Sequence, residues 1–225
     1  MVLRNKGARI LALSLVTAAA VGLSSTEGYA DAAAGKKVFD SKKCGSCHQT
    51  AGPAKEKTIA DKLKTKGPEL WYAGSKFQKA WLAKWLADPK PIRPLAYNSL
   101  TEKNKGDHPK LSGGDAAGVT DYLMSLTSKD VPAAGIKPKK DIKGKLIFTK
   151  KMPCSGCHQY ENRKKIVGGL TGPTLVGSKE RLNPDWIYAY MKNPKVFKPI
   201  KMMPVFTDLL TDQQMKQVSA FAANF

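Results

Sequence analysis

The sequence predicts an all-α protein built from two small helical domains in tandem, and three observations carry that expectation. The 225-residue chain contains an internal repeat covering nearly everything after a short leader. Apolar residues recur at helical spacing in both copies, and no convincing alternating strand pattern is present. A proline-bearing segment with little apolar content separates the copies and reads as a semi-extended linker.

The leader comes first. Arg4, Lys6 and Arg9 form a basic start, Ile10 to Leu23 a short apolar stretch, and Gly28-Tyr29-Ala30 places small residues at a cleavage site. That order is expected of a secretory signal peptide over residues 1–30, with an uncleaved anchor as the competing reading. The stretch is shorter than the roughly 20 apolar residues that span a bilayer, and no later segment is apolar enough to do so. The expectation is a mature chain beginning near Asp31, exported to the periplasm, with no transmembrane segment. It keeps 35 basic and 17 acidic side chains, a net charge of +18. Such an excess favours an acidic protein partner or an anionic membrane surface through long-range attraction. Export argues against nucleic acid, and simple solubility is the bland alternative.

The repeat fixes the domain plan. Gly35-Lys36-Lys37-Val38-Phe39 returns as Gly144-Lys145-Leu146-Ile147-Phe148, and Gly67-Pro68-Glu69-Leu70 returns as Gly172-Pro173-Thr174-Leu175. From Gly67 and Gly172, 14 residues lead to Trp81 and Trp186, and eight more lead to Pro89 and Pro194. Domains over 31–128 and 139–225 follow, joined by a linker over 129–138. Each is small enough to benefit from a bulky apolar group in its core.

Within the first copy, Phe77, Trp81 and Trp85 recur every four residues with Leu82 and Leu86 beside them, an apolar stripe that Pro89 ends. In the second, Asn183 is the expected N-cap with Pro184 at the first helical position, and Pro194 is the stop. The last helices are expected to begin at Ser112 and Thr211, the latter with Gln214 in a capping box. Val119, Tyr122, Leu123 and Leu126 mark one buried face; Met215, Val218 and Phe221 mark the other. The tryptophans need no reading beyond packing.

The chemistry lies in Cys44-Gly45-Ser46-Cys47-His48 and Cys154-Ser155-Gly156-Cys157-His158, which hold all four cysteines. Two cysteines three apart sit on one helical turn, so both thiols can reach the vinyl groups on one edge of a haem. The histidine that follows can offer its imidazole to the iron. This is the c-type haem attachment signature. A zinc site would need ligands converging from segments over 100 residues apart, a thioredoxin-like pair expects a βαβ context, and plain disulfides leave the histidines unexplained.

On these residues both halves resemble class I cytochromes c, and the tandem resembles dihaem cytochromes of the c4 type over essentially the whole mature chain. The resemblance implies two haem c groups, each in a helical bundle wrapped around it. It implies His48 and His158 as proximal iron ligands, with the carbonyls of Pro68 and Pro173 accepting their hydrogen bonds. It also implies Gly35 and Phe39 packed against Tyr122, and Gly144 and Phe148 against Phe221. Class I domains present Met-Pro before the last helix, which points to Met203-Pro204, with Met202 as rival, for the sixth ligand of the second iron.

The first half departs from that pattern. No methionine lies between His48 and the final helix, and the stretch from Pro89 to Leu111 is six residues longer than its counterpart. His108-Pro109 lies there and holds the only remaining histidine. His108 is therefore the expected sixth ligand of the first iron, against Met124 within the last helix or an ordinary loop histidine beside Asp107. A bis-histidine site would have the lower potential, so electrons would enter at the first site and leave at the second. The expected role is electron transfer without substrate turnover, with acidic redox partners that include membrane-bound oxidases or reductases. Lys42, Lys43, Lys150 and Lys151 would steer them. The alternatives are a cytochrome subunit of a dehydrogenase or reductase complex, or a dihaem enzyme with a labile ligand at the first iron.

Overall fold

The computed structural model describes residues 27–200 and 203–225, so the expected leader lies outside the described residues save for its last four positions. Helix α1 spans Glu27–Ser41, α2 Ile59–Lys64, α3 Ala73–Lys76, α4 Lys79–Ala87 and α5 Gly113–Ser125. The second copy contributes α6 Ile142–Leu146, α7 Ser178–Arg181, α8 Pro184–Lys192, α9 Pro194–Phe197 and α10 Asp212–Ala222. The all-α class is observed, and no helix among the described residues is long and apolar enough to cross a membrane.

The helix starts follow from side chains that accept otherwise orphaned amides. Ser112 Oγ accepts the Asp115 amide at 3.4 Å. Thr211 and Gln214 form the reciprocal capping box. Asn183 caps α8 ahead of Pro184. Pro194 does more than end α8: it opens α9, because the first helical position needs no N–H.

Two local features have no sign in the sequence. Helix α6 widens into a π-helical turn over Ile147–Lys151, where the Met152 amide reaches back to the Ile147 carbonyl at 2.8 Å. A hairpin also joins β1 (Tyr160–Asn162) to β2 (Lys165–Val167), with Glu161 opposite Ile166. Its strands are three residues long. Its turn residues Arg163 and Lys164 take φ of 49° and 62°, where such turns favour Asn and Gly.

Each domain closes by crossing its first helix over its last. A Cβ on Gly35 would stand 1.7 Å from the Gly118 carbonyl oxygen, and one on Gly144 would stand 2.3 Å from that of Gln217. Only a residue without Cβ allows these backbones to meet. One turn on, Phe39 meets the edge of Tyr122 at 5.4 Å and Phe148 that of Phe221 at 5.5 Å, edge contacts that add to simple burial. Val119, Tyr122 and Leu123 fill the first core, and Met215, Val218 and Phe221 the second. On α4 Leu82 and Leu86 enter the core while Trp81 and Trp85 stack at its half-buried face at 5.8 Å. Phe77, expected to open this helical stripe, lies before the helix in extended backbone, where its pairing with Leu182 holds it, and stacks on Trp81 at 5.5 Å.

The halves meet through equivalent residues. Phe77 and Leu182, each ten positions beyond its repeat glycine, form an antiparallel bridge. The Gln78 amide donates to Arg181 O at 2.9 Å, and the Asn183 amide donates to Lys76 O at 2.8 Å. That is a local two-fold relation. Around it Tyr72, Leu182, Trp186, Ile187 and Phe197 form a third apolar cluster. The linker is clamped rather than loose, because the amides of Ala134, Gly135 and Ile136 all donate to Asp185 at 2.9–3.3 Å.

Gly35→Ala is expected to destabilise the protein by about 3 kcal/mol, since backbone rather than a movable side chain blocks the new methyl. Gly113→Ala, with nothing within 4 Å of the new atom, should leave the thermal midpoint unchanged or slightly raised. Paired melting curves read both.

Candidate functional site

The two cysteine-histidine segments fold alike. Each pair of cysteines lies on a 3₁₀ turn, Cys44–Ser46 and Cys154–Gly156, whose fourth residue is the second cysteine. No disulfide joins the four; Cys44 and Cys154 are half-buried, Cys47 and Cys157 exposed. Burial pushes the Cys154 thiol up to about 11. The His48 and His158 amides then donate to Cys44 O and Cys154 O at 3.1 and 3.0 Å, directing both rings inward.

The imidazoles are oriented from the proline loops. His48 Nδ1 lies 2.8 Å from Pro68 O and His158 Nδ1 lies 2.7 Å from Pro173 O. A carbonyl only accepts, so Nδ1 carries the proton and Nε2 keeps its lone pair. Burial lowers the pKa of both rings, which favours this neutral form. Gly67 and Gly172 make the approach possible, because a Cβ there would press on the ring Cε1 at 2.8 and 2.7 Å.

His108 stands across from His48. Their ring centroids are 6.1 Å apart, and Trp85 packs on His108 at 4.7 Å. Its Nδ1 donates to Pro109 O at 3.0 Å, so this ring too has Nε2 available. Burial lowers its pKa as well. Met203 is half-buried against the second core cluster, beside the group that includes Phe148 and Phe206. Met124 packs against the first core cluster. Met202 lies outside the described residues. Among the described residues, no three His, Cys, Asp or Glu converge as a metal site, which leaves the zinc reading without ligands.

Lys42, Lys43, Lys150 and Lys151 are exposed beside the cysteine turns. Two of them have partners: Lys42 pairs with Asp115 at 3.4 Å, and Lys151 donates to Gln214.

Sequence reasoning missed a set of cations between the halves, Arg181 buried and the others half-buried. Lys76 and Arg181 are equivalent, nine positions beyond their repeat glycines, and Arg93 and Lys198 are equivalent, four beyond Pro89 and Pro194. That shared register of basic residues was the available signal. Burial, reinforced by Lys198, lowers Lys76 to about 7, and burial lowers Arg181 to about 10. Lys76 sits over the rings of Phe77 and Trp186, each at 4.7 Å. Glu69, only 3% exposed, pairs with Lys198 and with Lys62 at 2.8 Å, and buried Glu56 shares Lys62 at 3.6 Å. Burial alone would raise the Glu69 pKa, but Lys198 and Lys62 outweigh that and hold it at about 2.

This arrangement, with its paired Cys-x-x-Cys-His turns on two helical domains, agrees with comparison to known proteins. The cytochrome c family model matches residues 32–127 and 142–224, and the chain belongs to that family. Neither the curated proteins nor the solved structures give a match. Membership makes this a haem-binding protein of electron transfer, with one Cys-x-x-Cys pair in each of its two domains. The residues present fit such a group. Trp71 Nε1, Trp186 Nε1, Tyr72 Oη and Arg93 Nε are buried donors without acceptors, and Glu56 Oε2 is a buried acceptor without a donor. Orphaned buried donors beside excess cations are what propionate carboxylates would satisfy.

The Glu69 shift sets a pH window. A carboxylate lowered from about 4.3 when unfolded contributes stability fully present above that value and lost as pH falls through about 2. Glu69→Gln is therefore expected to be less stable than wild type at pH 7. The gap should close on acidification, and its pH-dependent part is on the order of 3 kcal/mol. Denaturant titrations from pH 7 to pH 2 measure it; a constant gap would contradict it.

Proposed function

We propose that this chain is an exported two-haem electron carrier, and that Cys44, Cys47, Cys154 and Cys157 hold the porphyrins through thioether bonds. The observation that carries the proposal is that both cysteine turns end in a half-buried histidine whose Nδ1 is fixed on a proline carbonyl, leaving Nε2 for iron. Bound haem iron would supply one-electron chemistry between its ferric and ferrous states.

His48 and His158 are the proximal ligands in this reading. His108 is the sixth ligand of the first iron. His48 and His108, whose ring centroids lie 6.1 Å apart, are the two nitrogen donors that would hold the first iron. Met203 is the sixth ligand of the second iron. Two imidazoles favour ferric iron more than imidazole with thioether does, so these residues set the first site lower in potential. The basic surface, +18 after leader removal, suits acidic redox partners, and the Arg4-to-Ala30 pattern supports export to the periplasm.

A second reading, a haem enzyme with an exchangeable ligand, draws on one observation. His108 sits in a loop whose immediate neighbours, Asp107 and Pro109, are exposed.

Mass analysis of the exported protein should show a chain starting near Asp31 with the added mass of two haems. A bare chain would end the proposal. In His108→Ala the reduced first haem should bind carbon monoxide while the second keeps its spectrum. Carbon monoxide binding by the reduced wild type would favour the enzyme reading instead.

A further inference from the structure

We propose that the two domains hold each other's iron-ligand loops in register, each loop that carries a distal residue being strapped to the proximal loop of the other domain. The inference rests on the ligand assignments above and adds a positioning role for Glu69, Lys198 and Arg93.

The straps occupy equivalent places. Lys198 leaves the second domain four residues after Pro194 and pairs with Glu69, next to the Pro68 carbonyl that orients His48. Arg93 leaves the first domain four residues after Pro89, and its Nη2 donates to Thr171 O at 2.6 Å. The Thr174 amide donates back to Ile92 O at 2.8 Å. Thr171 and Thr174 bracket the Gly172-Pro173 step that orients His158.

Each strap also lies on the same connection as the distal residue on its own side. Lys198 stands five positions before Met203. Arg93 is tied to the base of the His108 loop, since Asn104 Nδ2 donates to Arg93 O at 3.0 Å and the Asn104 amide donates to Pro94 O at 2.9 Å. Glu69 is buried, and Lys198, Arg93 and Thr171 are half-buried. Removing one partner of a desolvated pair leaves an uncompensated charge, and Glu69 would then retain only the Lys62 side of its pairing.

A merely structural interface predicts that Glu69 matters to the fold but not to an iron in the other domain. The strap predicts that it does matter there. The test uses the full-length protein with both haems in place and follows the charge-transfer absorption of thioether-bound ferric iron as pH is raised. Glu69→Gln and Lys198→Met should each lose that band about one pH unit earlier than wild type, a tenfold shift in ligand exchange. Lys198→Arg should restore the wild-type midpoint. The double variant leaves no unpaired Glu69 or Lys198 charge, so it remains testable if a single variant folds poorly. It should be no worse than either single, as coupled partners require. Unchanged midpoints in folded variants, or additive losses in the double, would overturn the strap alone. A wild type without the band would remove the Met203 assignment, and the strap with it.

Discussion

The bond from each proximal imidazole to a proline carbonyl is the constraint around which the rest is arranged. It decides the tautomer, since only a protonated Nδ1 can donate to Pro68 or Pro173. It demands a glycine immediately before each proline, because a methyl there would press on the ring. It also requires the proline loop to be held firmly from behind. In the first domain Glu69 answers to cations from both halves, and in the second Thr174 is bonded to Ile92 across the interface. An interaction of a few ångströms thus sets the conformation of a loop, and the loop sets how two domains sit together.

The halves share this scaffold yet differ where chemistry would be tuned. The first has a long loop presenting a histidine backed by Trp85; the second has a shorter loop presenting a methionine against an aromatic core. The difference extends to the backbone. A π-helical turn precedes the second cysteine turn and a hairpin follows it, neither with a counterpart among the described residues of the first half. Duplication kept the helix crossing and the proximal anchor, and the distal side diverged.

Much of the fold was legible in the sequence because it depends on residues with narrow physical roles. Gly35 and Gly144 permit a backbone contact, Ser112, Thr211 and Asn183 cap helices, and Pro89 and Pro194 stop them. The cysteine turns and both proline anchors were legible for the same reason. The cations between the halves were not. Lys76, Arg93 and Arg181 resemble any other basic residue in a chain with 38 of them, and their burial emerges only when two surfaces meet. The hairpin was hidden because Arg163 and Lys164 occupy positions where turn-forming residues announce themselves.

The bridge between Phe77 and Leu182 has a consequence for how such a molecule could arise. A contact made by matching positions is isologous, the kind that two identical copies make with one another. A single ancestral unit bearing these segments could therefore self-associate. Fusion would then replace a concentration-dependent encounter with a tethered one, at an effective millimolar concentration for a short connector. Once tethered, the pair no longer depends on identical surfaces, and each side is released to specialise. Glu69 on one face and Thr174 on the other record that release.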